Sequence, residues 1–158
     1  MIGLIQRVTS ASVTVDGKRI AHINRGLLAL IGVEKHDTTD QARRLAERIC
    51  GYRVFADGNT KMNLCLKDIA GGLLMVPQFT LAANTQKGMR PSFSSAASPE
   101  HGKRLYDYCV DEARRTVSDV ETGLFGADMQ IALINDGPVT FWLRATAQSD
   151  LSGAPSHV

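Results

Sequence analysis

The run Pro77-Gln78-Phe79-Thr80 carries one hydroxyl beside one amide. A threonine hydroxyl attacks an ester only when a base lies within hydrogen-bond reach, and no residue next to Thr80 in sequence supplies one. His101 or Asp136 could come near it in space; equally, Thr80 can be an ordinary strand threonine. Lys87 and Arg90 flank Gly88 in a polar stretch, where basic side chains can meet phosphate. A second interruption is Asn135-Asp136-Gly137-Pro138, which sets a residue without an N–H between two apolar runs. A trans proline there would begin or edge a strand. A cis bond would turn the backbone sharply and aim its carbonyls away from ladder pairing.

Other chemistries have little to stand on. His22, His36, His101 and His157 have no short metal-ligand spacing, and none sits beside a paired cysteine, so no metal is expected. No GxxxxGK phosphate loop occurs, and Gly71-Gly72 precedes a strand pattern rather than a helix. No cofactor is expected. Cys50, Cys65 and Cys109 are an odd number among apolar neighbours, which favours packed, reduced thiols over a disulfide framework. A net charge of +2 does not announce a nucleic-acid protein, nor does it forbid contact with one piece of RNA. Phe79, Phe141 and Trp142 read more readily as core than as platforms for bases, and Arg43, Arg44 and Arg48 as a solvated helix face.

The elements that must position these residues follow from pattern. LIQRV and ASVTV read as strands, with Asp16-Gly17 turning into Lys18–Ile23, and LLALIGVE suits a strand buried on both faces. Thr38 and Gln41 form a capping box for a helix that buries Ala42, Leu45, Ala46 and Ile49. Tyr52–Phe55 reads as a short strand, with Asp57-Gly58-Asn59 turning into Lys61–Leu64. Leu73–Leu81 reads as another strand, with an edge or bulge at Pro77. Ala82–Ala97 is a long surface loop, and Ser98-Pro99-Glu100 opens a helix burying Leu105, Cys109, Val110 and Ala113. Met129–Ile134 and Val139–Leu143 read as a hairpin with Gly137-Pro138 at its mouth. With 158 residues, 44% of them hydrophobic, one α/β domain over residues 1–147 is expected, followed by a flexible tail over 148–158. The opening residues lack a signal peptide's pattern and no apolar run is as long as a membrane span, so the expected location is the cytoplasm.

The segments MIGLIQRVTSASVTVDG, PQFTLAA (77–83), KGMRPSFS (87–94) and NDGPVTF (135–141), in this order and spacing, resemble the D-aminoacyl-tRNA deacylase family over nearly the whole chain. The resemblance implies a single-domain fold with a barrel-like sheet and two main helices, and a homodimer with its active site at the subunit interface. It implies hydrolysis of the ester of D-aminoacyl-tRNA, and of glycyl-tRNA, particularly glycine mischarged on alanine tRNA, with L-aminoacyl substrates rejected. Gln78, Phe79 and Thr80 match the family's catalytic segment, in which Pro77 stands where serine is commoner. Gly137 and Pro138 match a Gly-cis-Pro motif that reaches into the partner's pocket. Arg7 matches a residue supporting that motif, and Met129 one lining the amino-acid site. Two further readings stay open: a noncatalytic RNA-end binding module, and a hydrolase using Thr80 covalently on another ester.

Overall fold

The β-branched opening segment forms one strand, β1 (Ile2–Val15), instead of the two expected. Asp16 and Gly17 both take positive φ, the dihedrals of a tight hairpin turn, and return the chain antiparallel as β2 (Lys18–Ile23). The first half of β1 pairs with β3 (Gly26–Gly32), and β3 pairs in parallel with β6 (Gly72–Pro77). In the computed structural model, which describes residues 1–147, the sheet order is β2-β1-β3-β6-β7, with β7 at Val120–Thr122 and β8 (Gln130–Arg144) on the other edge of β1. This sheet curls into a nearly closed barrel. A two-stranded ribbon, β4 (Phe55–Ala56) and β5 (Met62–Leu64), stands apart from it. The expected tail, residues 148–158, lies outside the described residues.

The continuous apolar runs of β3 and β6 arise because each strand serves two cores. Leu27, Ala29, Ile31, Leu73 and Met75 point outward under the helices, while Leu28, Leu74 and Val76 point into the barrel with Val8, Ala11, Val13 and Ile23. The outer layer is α1 (Thr39–Gly51) against α2 (Pro99–Arg114). Both helices start as their caps dictate: Thr38 and Gln41 form the reciprocal capping box, and Ser98 accepts from the His101 amide with Pro99 in the first turn. The expected apolar faces are buried, and the exposed arginines of α1 pair within the helix, Arg43 with Asp40 and Arg44 with Glu47.

Further expectations change. The strand opened by Gly72 stops at Pro77, and Phe79–Ala82 forms a 3₁₀ turn. β6 is not an edge strand: Leu73 and Met75 face β7, Gln78 donates to Ile31, and so Pro77 faces the β7 side just past where β7 ends. Its missing N–H costs nothing there. Tyr52–Val54 is not strand; only Phe55–Ala56 pairs. The expected hairpin around Gly137 is a single strand, β8, which pairs with β1 on both sides of that segment.

Candidate active site

Where β6 ends, Gln78 breaks the strand and the 3₁₀ turn lifts Phe79 and Thr80 to the surface, Phe79 being 61% exposed. Within this turn Leu81 and Ala83 donate to Gln78 and Thr80. Among the described residues the Phe79 and Thr80 amides meet no acceptor, as the first amides of such a turn must. Gln78 donates its side-chain amide to Thr80 Oγ1 at 2.5 Å. An amide takes no proton from a hydroxyl, so this contact orients Thr80 without activating it. The Phe79 ring packs against Phe93 with centroids 5.1 Å apart. Phe93 belongs to the loop carrying Lys87, Met89 and Arg90, and that loop closes on itself through the Asn84–Ser92 bridge. Lys87 and Arg90 are exposed, and Met89 wholly so.

Pro77 and Met129 meet at Gly123. A β-carbon on that glycine would lie 2.9 Å from Met129 Sδ and 3.3 Å from Pro77 Cδ, so only glycine lets these two side chains close beside the platform. Met129 Sδ also accepts from the Leu124 amide at 3.3 Å. The sequence offered no sign of Gly123's part beyond its being a glycine near a strand end.

Gly137 and Pro138 sit in a bulge. Thr140 pairs with Gln6 and Asn135 with Val8, so Asp136–Val139 stand opposite Arg7 alone and are pushed out of the ladder. The Gly137–Pro138 bond is cis, Gly137 has φ +151°, and both residues are exposed. Arg7 holds the entry to the bulge. Its Nε donates to the Asp136 carbonyl at 2.8 Å, and an outer guanidinium nitrogen donates to the Val54 carbonyl at 2.7 Å. Asn135 holds the exit, accepting from the Val139 amide at 2.8 Å and donating to Thr140 Oγ1 at 2.9 Å. Asn135 was legible in sequence only as a turn residue.

Neither of the two bases considered for Thr80 is free to serve it. His101 Nε2 bonds the Asp37 carbonyl at 2.9 Å while Arg104 approaches Nδ1 at 3.0 Å, and Asp136 faces Arg7 at 3.5 Å. Phe79, Phe141 and Trp142 are not core residues; they are 61%, 37% and 54% exposed. A groove of about 750 Å³ runs along α1 past Arg43, Arg48 and Arg144 and touches none of Gln78, Thr80 or Gly137. The cysteines are free; burial pushes the Cys50 thiol up to about 11 and that of Cys109 up to about 12.

Strand register sets the platform and the bulge apart along the sheet. Arg7, opposite the bulge, pairs with Leu27, which pairs with Leu73, four residues short of Pro77. At about 3.3 Å per residue and 4.8 Å per strand, this sets them roughly 13 Å apart along the strands and three strand spacings across. The other way round, from Met129 beside Pro77 up β8 to Gly137, is roughly 25 Å of extended chain.

A family model described as D-Tyr-tRNA(Tyr) deacylase matches residues 4–144. The chain is 60% identical over 144 residues to a D-aminoacyl-tRNA deacylase of Methylococcus capsulatus, covering 91% of this chain and 94% of that one. It is 56% identical to a D-aminoacyl-tRNA deacylase of Escherichia coli, covering 91% and 99%. It also resembles the solved structure of a c-Myc DNA Unwinding Element Binding Protein, with TM-score 0.89, 37% identity and coverage of 93% and 100%.

Proposed function

The chain belongs to the D-Tyr-tRNA(Tyr) deacylase family, and from that membership we propose that it acts as a homodimer that clears D-amino acids and glycine from tRNA while sparing L-aminoacyl-tRNA. Glycine mischarged on alanine tRNA is among its substrates, and the cytoplasm, where charged tRNA is used, is its place of work. The observation that carries the reading is the strand register, which sets the Gly137–Pro138 bulge apart from the Gln78–Thr80 platform in one chain. A two-fold dimer in which each bulge enters the other subunit's cleft joins them twice over. The outer edge of β8 favours such a contact: among the described residues it pairs only with β1, and it exposes Ile134, Phe141 and Trp142.

In the joined site, the backbone carbonyls of the bulge face the substrate's alpha carbon and ammonium. Glycine and D-residues turn hydrogen toward that wall. An L-residue held by the same ammonium and ester would drive its β-carbon into it, and a penalty of about 4 kcal/mol gives roughly a thousandfold rejection. Side chains of D-residues point outward past Met129 and Pro77. With proline at position 77, a hydroxyl contact from that position is replaced by backbone groups.

Hydrolysis needs a stabilised oxyanion and an activated water. The unoccupied Phe79 and Thr80 amides suit the first, and preorganised donors of this kind contribute several kcal/mol. The 2′-hydroxyl of the terminal ribose assists proton transfer to the leaving 3′-oxygen, which agrees with the lack of a base beside Thr80. Gln78 orients the ribose, Phe79 and Phe93 shape the wall, Thr80 positions the reacting end, and Lys87 and Arg90 meet phosphates. Hydrolysis of matched D-aminoacyl-, L-aminoacyl- and glycyl-tRNA by the purified protein tests this. Turnover of the first and third over the second is expected; binding of the RNA end without ester cleavage would refute it.

A further inference from the structure

The bulge on β8 is held by two side chains, and the family resemblance names only one of them, Arg7, as its support. We infer that Asn135 is a second positioning residue for stereochemical selection, acting through the Gly137–Pro138 segment without touching substrate. The inference rests on the reading that this segment rejects L-substrates.

A bulge strips ladder partners from the residues it expels, and an unpaired amide in a protruding loop leaves that loop free to swing. Asn135 removes this freedom at one end. It is the last residue paired with β1 before the bulge, and its Oδ1 accepts from Val139, the last residue of the bulge. Its Nδ2 donates to Thr140, the first residue back in register, whose Oγ1 also receives Gln6 Nε2 at 3.4 Å. One side chain thus closes the exit across four and five residues, as Arg7 closes the entry on the Asp136 carbonyl. Gly137 and Pro138, exposed between these two ties, have no other side-chain hydrogen bond among the described residues. Their direction is therefore set by the neck. Opening the exit lets the wall tilt away from the substrate, and the group that gains room is the β-carbon of an L-residue.

The test compares single-turnover hydrolysis of matched D- and L-aminoacyl-tRNA by the full-length protein and three variants. Because the proposed wall rejects L-residues roughly a thousandfold, tilting it away in Asn135→Ala should lower the D-over-L ratio by about tenfold or more, through a faster L reaction. Asn135→Asp keeps an acceptor for the Val139 amide and should hold the ratio near that of the unaltered protein. Thr140→Val, at an exposed strand position, removes the second arm together with the longer Gln6 contact and should lower the ratio about threefold. A ratio unchanged in both Asn135→Ala and Thr140→Val overturns the inference, and so does a uniform loss of all rates together with thermal stability. If Asn135→Ala does not fold, the Thr140→Val ratio decides. Failure of the unaltered protein to prefer D-substrates sinks the underlying reading instead, and the two failures are read in different samples.

Discussion

Replacing Gly137 with alanine should relax the rejection of L-aminoacyl-tRNA while the platform at β6 stays intact. The backbone there has φ +151°, which L-residues rarely adopt, so the native shape costs an alanine on the order of 1–3 kcal/mol. The new methyl would also lie 2.6 Å from Val139 Cγ2 and 2.8 Å from the Val139 amide nitrogen. The valine side chain can rotate; its amide is tied to Asn135 Oδ1 and cannot yield without breaking that bond. Ordinary contact begins near 3.4 Å, so the loop must move by about 0.6 Å, and a wall displaced by that much should give up roughly tenfold or more of the proposed thousandfold discrimination. The assay is single-turnover hydrolysis of D-, L- and glycyl-tRNA, with the melting temperature and dimer mass measured beside it. An alanine variant that folds, dimerises and rejects L-substrates as well as the original chain would refute the reasoning.

Arg7→Lys should destabilise the fold by about 1.5–3 kcal/mol, because one ammonium cannot bridge the Asp136 and Val54 carbonyls as the guanidinium fork does; an unchanged denaturant midpoint would count against it. Thr80→Ala should retain residual hydrolysis, and a substrate lacking the terminal 2′-hydroxyl should bind but turn over slowly; a trapped threonyl ester in the unaltered protein would reverse the assignment of Thr80. The Cys50 and Cys109 thiols are raised by burial to about 11 and about 12, so the folded state holds protons that the unfolded chain releases above about pH 8.5. Stability from this source is complete below that pH and falls as pH rises toward 11. Urea midpoints at pH 8, 9 and 10 should decline, less steeply in Cys109→Ala, and identical slopes in the two proteins would contradict the linkage.

Local chemistry made much of this fold readable. Thr38 with Gln41 and Ser98 with Pro99 start their helices where capping rules put them, and β3 is buried on both faces as its unbroken apolar run requires. What escaped was long-range. Asn135-Asp136 carries turn chemistry, and no local rule reveals that β1, more than a hundred residues earlier, holds both flanks of that segment in one ladder. Pro77 was readable as a break, but its direction depended on where β7 stops. Phe79, Phe141 and Trp142 read as core because residue type reports a preference for burial and not what supplies it; in one chain they face outward. The motifs at Gln78–Thr80 and Gly137–Pro138 were legible as segments, whereas their separation across three strands was not.

Mixing two defective chains tests the shared site most directly. One carries Gly137→Ala and an intact platform; the other carries an intact bulge and a platform disabled by Gln78→Ala and Thr80→Pro, silent on its own toward both substrates. With the silent chain in excess and subunits exchanged, nearly every working platform faces a sound bulge from its neighbour, and the D-over-L ratio should return to that of the unaltered protein. A ratio that stays at the Gly137→Ala value, however much silent chain is added, would mean that each chain's bulge serves its own cleft or none.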